Sequence, residues 1–107
     1  MSKTSIQQIE RKLDRIKDSL KEIGPMRPGS LTCQYKKPKE SVGPYWQISY
    51  TRNMRSRTEY IRQECVADIR KQIATYKRFK SLIDQWIDLS IELSKVNMQI
   101  AKRKASR

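Results

Sequence analysis

Residues 29–61 read GSLTCQYKKPKESVGPYWQISYTRNMRSRTEYI, and this stretch decides the fold. Leu31, Cys33 and Tyr35 alternate with Thr32 and Gln34, and Trp46, Ile48 and Tyr50 alternate with Tyr45, Gln47 and Ser49. A period of two is the pattern of strands that bury one face. Prolines 25, 28, 38 and 44 and all three glycines (24, 29 and 43) fall in or just before this stretch, which excludes a long helix there. After Asn53-Met54, Arg57–Ile61 can return as a third strand. The expectation is a small antiparallel sheet whose last two strands form a hairpin around Arg52–Ser56.

Helical patterns flank the sheet. Over residues 4–23 the apolar positions are Ile6, Ile9, Leu13, Ile16, Leu20 and Ile23, a heptad seam with charged residues between. Thr4 or Ser5 is expected to cap its start, and Gly24-Pro25 to end it. From Gln63 to Lys102 the apolar positions recur at three and four: Val66, Ile69, Ile73, Tyr76, Phe79, Leu82, Trp86, Leu89, Leu93, Val96 and Ile100. The spacing between Tyr76 and Leu82 is one residue short, a stammer in coiled-coil terms. Ile83, Ile87 and Ile91 form a second apolar row beside the first. Such a wide apolar surface needs a bundle or a dimer to cover it.

The fold class expected is therefore α+β and mostly helical. Its parts are an N-terminal heptad helix (1–24), a small antiparallel β-module (25–62), a long C-terminal amphipathic helix (63–102) and a frayed basic tail (103–107). The N-terminal helix should fold back onto the long helix or pair across a dimer. Phe79, Leu82, Ile83, Trp86, Leu89 and Leu93 are the candidate oligomer contacts. Ile, Leu, Val and Phe number only 22 among 107 residues, so a second copy or a partner is expected to complete the core.

Charge narrows the function. The chain holds 24 Lys+Arg against 11 Asp+Glu, a formal net charge of +13, with no His and 2 Cys. Without His there is no Ser-His or Cys-His nucleophile pair and no His-ligated metal, and no enzyme is expected. Dense positive charge favours a polyanion, which relieves self-repulsion and releases counterions. Residues 24–62 carry 8 basic and 2 acidic groups, whereas 81–94 carry only Asp84, Asp88 and Glu92. The basic hairpin segment and the first turns of the long helix thus become the candidate nucleic-acid contacts: Arg52, Arg55, Arg57 and Arg62, the loop lysines Lys36, Lys37 and Lys39, and Arg70, Lys71, Lys77 and Arg78. Trp46, Ile48 and Tyr50 read as sheet core rather than a stacking platform.

Other chemistry is weakly supported. Asp84, Asp88 and Glu92 recur every four residues, but in heptad context they read as a solvated helix face rather than a magnesium site. Cys33 and Cys65 are too far apart and too few for zinc and read as buried thiols. No cofactor is expected. No apolar run reaches the length of a membrane span, the first residues lack the apolar core of a secretory signal, and a cytoplasmic location is expected.

A resemblance adds context. Gly29-Ser30-Leu31, Lys37-Pro38, Gly43-Pro44-Tyr45-Trp46, the arginine-rich turn Arg52–Arg57, Tyr60-Ile61 and Tyr76-Lys77-Arg78-Phe79 follow one another in an order that resembles a family of small bacterial proteins of uncharacterised function. Members are often encoded beside transposases, recombinases and other mobile-element genes. The likeness spans residues 27–94. The family pattern often includes a cysteine cluster beside the Lys-Pro loop, of a kind suited to a metal knuckle; residues 36–41 here read KKPKES, so no metal carries over. The resemblance implies a mobile-element setting and compatibility with DNA. The reading is a non-enzymatic DNA-binding accessory protein, a homo-oligomer, that assists or regulates a recombinase or transposase. A protein-interaction adaptor for an acidic surface and an RNA-binding protein stay open as alternatives.

Overall fold

The computed structural model describes residues 3–37, 39 and 42–105, with the side chains of 3, 4, 37 and 42 outside that description. In chain order the elements are helix α1 (Lys3–Lys21), strands β1 (Ser30–Lys37), β2 (Val42–Arg52) and β3 (Arg55–Ile61), a 3₁₀ turn (Gln63–Cys65) and helix α2 (Val66–Ala105). This is the α+β arrangement expected: a helix, a three-stranded antiparallel sheet and a long helix. Strand order is β1-β2-β3, with β2 central.

Register follows the alternation. Leu31 faces Ile48 and Cys33 faces Trp46 across β1 and β2; Trp46 faces Ile61, Ile48 faces Glu59 and Tyr50 faces Arg57 across β2 and β3. Residues 46, 48 and 50 therefore share one face, and Ile48 at its centre is 0 % exposed. A single sheet layer cannot bury its own apolar face and needs a second layer. The first turns of α2 close it: Val66 and Ile69 join Ile48 and Ile61 in the buried core, with Leu31, Trp46 and Ile73 packed around them.

That packing moves the expected boundary. The chain divides into two compact units, Gly24–Lys77 and Met1–Ile23 with Arg78–Arg107. Residues 66–77 of α2 belong with the sheet rather than with the rest of the helix, because the sheet needs Val66, Ile69 and Ile73 as its second layer.

Two backbone positions fix the sheet's geometry. Gly29, at the entry to β1, has φ +138°, and a Cβ there would lie 2.8 Å from Ile48 Cγ1 and 2.9 Å from the Ser49 carbonyl oxygen. Only glycine lets the chain approach β2 so closely. Asn53 (φ 54°) and Met54 (φ 63°) form the two-residue loop between Arg52 and Arg55. Positive φ at both central residues is the type I′ pattern, whose twist matches that of paired strands.

In the helical unit, Ile9, Leu13 and Ile16 of α1 are buried. Ile16 borders a hollow with Leu82 and Leu89 of α2, and Lys17 Nζ lies 5.6 Å from the centre of the Trp86 ring. Part of the seam is thus used within the chain, as α1 folds back onto α2.

Three local expectations change. Thr4 and Ser5 lie inside the first turn of α1 rather than capping it, since the helix already includes Lys3. Helix α2 continues to Ala105, so Lys102, Arg103 and Lys104 are helical rather than frayed; cations in a last turn complement the helix dipole. Ser106 and Arg107, the rest of the expected tail, lie outside the described residues. Cys33 and Cys65 are free but exposed, not buried. The turns of α2 that close the core do not include Cys33 on edge strand β1, and Cys65 ends the 3₁₀ turn just before the helix face that is buried.

Candidate nucleic-acid interface

The hairpin tip concentrates cations. Arg52 and Arg55 are directly opposite each other across the turn, and Arg57 is two residues further along β3, opposite Tyr50. With Tyr50 and Asn53 the three arginines line one hollow of about 470 Å³. All three are exposed, and among the described residues no carboxylate forms an ion pair with Arg52 or Arg55. Like charges facing each other across a strand pair are unfavourable.

The acid nearest this cluster is already engaged. Glu59 Oε2 accepts from Arg27 Nη2 at 2.5 Å, and Glu59 Oε1 accepts from the Tyr50 hydroxyl at 2.7 Å. The Arg27 hydrogen bond, then that of Tyr50, holds the Glu59 carboxyl below the usual carboxylate range, and Glu59 in turn raises Arg27. Arg27 also lies 5.3 Å from the Tyr50 ring centre, and its backbone N–H donates to the Gln72 carbonyl at 3.0 Å. One arginine in the entry loop thus fastens the loop to β3 and α2, and takes up the carboxylate that could otherwise quench the tip.

The aromatics divide between the faces. Trp46 Nε1 donates to Gln63 Oε1 at 2.9 Å, and Arg70 stacks 5.0 Å from its ring centre. Trp46 and Tyr50 are therefore engaged on the packed face. Tyr45 and Tyr60 belong to the opposite face, where with Lys36, Gly43 and Pro44 they line a separate hollow.

The described side chains of that opposite face are exposed or partly covered, none of them buried. The face reads, row by row across the three strands, Ser30–Ser49–Thr58, Thr32–Gln47–Tyr60 and Gln34–Tyr45, with Thr51–Ser56 toward the turn and Lys36 toward the far end. Only Tyr45, Gln47 and Gly43 on it are partly covered. Ser49 and Thr58 hydroxyls lie 3.3 Å apart, and those of Thr51 and Ser56 3.2 Å apart.

The remaining sequence candidates are spread out. Lys36, Lys39, Arg62, Lys71 and Lys77 are exposed within the sheet unit; Arg78, also exposed, falls in the helical unit. The Lys37 side chain lies outside the described residues. Asp84, Asp88 and Glu92 are exposed, and no group of three metal-ligating side chains occurs among the described residues. Among those residues no helix is long and apolar enough to cross a membrane.

The candidate oligomer surface also changes. Leu82 and Leu89 border the hollow shared with α1, while Ile83 and Trp86 line another along α2 with Ile87 and Ile91, which are 52 % and 50 % exposed. Leu93 borders a further hollow with Met98, and Phe79 is half-buried. The second row, more than the seam, is what α1 leaves uncovered.

Sequence reasoning missed Arg27 and the open face. Arg27 carried no signal, since its partner is 32 residues away. The open face did carry one: the residues alternating with Trp46, Ile48 and Tyr50 lack charge in a chain that is 33 % charged.

In comparisons with known proteins, residues 6–71 match a family model described as a domain of unknown function (DUF6788). No curated protein and no solved structure is similar to the chain.

Proposed function

The chain belongs to that DUF6788 family, and from its own surface we propose that it is a DNA-binding accessory protein with no chemistry of its own, one that assists or regulates a recombinase or transposase of a bacterial mobile element in the cytoplasm. The observation that carries this reading is Arg52 directly opposite Arg55, with Arg57 beside them, at the tip of the sheet. In the free protein that arrangement is repulsive. A phosphate among the three guanidiniums converts the repulsion into charge-assisted hydrogen bonds. The net charge of +13 adds counterion release. Lys36, Lys39, Arg62, Arg70, Lys71 and Lys77 are exposed cations of the same unit and extend the contact. The lack of His removes the commonest general base and nucleophile partner. The mobile-element setting rests on the motif order from Gly29 to Phe79. The exposed row of Ile87 and Ile91 suits a second copy of the chain.

The test is a salt titration on a duplex of random sequence, read by fluorescence anisotropy. Each phosphate contact contributes about −0.9 to the log–log slope for duplex DNA. Arg52→Ala with Arg55→Ala should weaken binding and flatten the slope by about two units, with a melting temperature no lower than the parent's, since the cross-strand repulsion is removed. If affinity and slope are unaffected, the hairpin does not hold DNA. If structured RNA outcompetes the duplex at about 0.15 M salt, the protein is an RNA binder instead.

A further inference from the structure

We infer that two copies of the chain pair antiparallel along the second half of α2, with Ile87 of each copy against Met98 of the other and two Asp88–Lys95 ion pairs beside them. The inference rests on the reading of the exposed row as a self-contact and gives it an orientation and a register; it does not depend on DNA. Its basis is a second seam. Ile87, Ile91, Ser94, Met98 and Ala101 recur at alternate spacings of four and three, the period that keeps one helix face against a partner helix. All five are exposed, Ile87, Ile91 and Met98 at 52, 50 and 68 %. The seam that borders α1 runs through Leu82 and Leu89, on the other side of the helix. A helix with an apolar seam on each side needs two neighbours, and α1 is one of them.

Charge along α2 selects the second neighbour and its direction. Residues 81–94 carry Asp84, Asp88 and Glu92 and no Lys or Arg, whereas residues 95–104 carry Lys95, Lys102, Arg103 and Lys104 and no Asp or Glu. A parallel pair would set acid against acid and base against base. An antiparallel pair sets the acidic stretch of each copy against the basic stretch of the other, and its two-fold axis repeats every contact. With Ile91 facing Ser94 beside that axis, Ile87 faces Met98, and Asp84 comes to the turn that holds Ala101 and Lys102. Asp88 and Lys95, seven residues apart, lie on the same edge of the seam. The axis brings the same edge of both helices together, so Asp88 of each copy meets Lys95 of the other. Among the described residues neither forms an ion pair within its own chain. Charged flanks of this kind set orientation more than affinity; Ile87, Ile91 and Met98 supply the apolar area to be buried. An unrelated partner would have to carry the same charge order reversed, which a second copy does by symmetry.

The experiment uses the full chain with Cys33 and Cys65, both free, replaced by Ser. Ile87→Cys and Met98→Cys are made separately, then oxidised alone and mixed. Antiparallel pairing should give a disulfide-linked species in the mixture and little in either variant alone, because the two positions are eleven residues, about 16 Å, apart along one helix. Sedimentation equilibrium then tests the charges. Lys95→Asp sets Asp against Asp at both flanks and Asp88→Lys sets Lys against Lys, so each should raise the dimer dissociation constant about tenfold. An equimolar mixture of these two should recover the parent value, since every flank again joins Asp to Lys. Linkage within each cysteine variant alone would show parallel pairing and overturn the inference, as would a dimer that links in neither case. Lys95→Asp dimerising as tightly as the parent would overturn the register. A monomeric parent at micromolar concentration would end both the inference and the self-contact reading, and leave the row to a different partner.

Discussion

Gly29 and the Arg27–Glu59 pair show how single residues hold the β-module in place. At Gly29 both the positive φ and the 2.8 Å approach to Ile48 oppose any side chain. Gly29→Ala should therefore destabilise the sheet unit by more than about 1 kcal/mol, read as a lower urea midpoint, because Ile48, the most deeply buried residue of the core, would have to shift. The ion pair acts through pH. Glu59 ionises more readily when folded than when unfolded, because Arg27 and then Tyr50 hydrogen-bond its carboxylate. Its contribution is thus present above the unfolded carboxylate value and is lost as pH falls through the lower folded value. Glu59→Gln should be less stable than the parent in urea melts at neutral pH. The gap should narrow in acid, where both side chains are uncharged. A gap of equal size at both ends would mean that the pair holds the loop by shape alone.

At the scale of elements, the hairpin turn spends stability on a residue that returns nothing to the fold. Met54 has a left-handed backbone and is 98 % exposed. Met54→Gly, which creates the favoured Asn-Gly turn, should raise stability by about 0.5–1 kcal/mol and keep the Arg52–Arg55 register. A lower urea midpoint would show that the methionine has a contact its exposure hides. The two helices and the hairpin were legible in the sequence because each rests on local periodicity: Ile9, Leu13 and Ile16 in heptad spacing, and Trp46, Ile48 and Tyr50 in alternation. What was not legible depends on which surface covers which. Alternation puts Cys33 on the packed face yet cannot say where α2 stops covering it. The heptad seam names Leu82 and Leu89 as contacts yet cannot say that α1 supplies the neighbour. Of the candidate site, the arginines were readable from composition and turn position. The polar face carries neither charge nor motif, so its signal in the sequence is an absence.

At the scale of the whole molecule, the proposed DNA contact makes assembly testable, because the salt slope counts how many cations reach one DNA. The sheet unit carries 11 basic and 4 acidic groups, so one copy offers a limited number of phosphate contacts. Ile87 and Ile91, half-exposed on the acidic stretch of α2, are the surface on which a second copy can bury apolar area. If two copies join there and both sheets engage one duplex, as proposed, the second contact is intramolecular. Sedimentation equilibrium at micromolar protein should give a dimer whose melting temperature rises with concentration. Ile87→Lys with Ile91→Lys places four cations across the joined faces and should yield a folded monomer, since neither side chain belongs to the buried core. That monomer should bind DNA with about half the salt slope of the dimer, because each lost phosphate contact removes its share of counterion release. The comparison separates the two surfaces: Arg52→Ala with Arg55→Ala should lower the slope without changing mass, and the isoleucine pair should change both. A monomeric parent, or a monomeric variant with an undiminished slope, would show that one copy makes the whole contact and that the apolar row serves a different partner.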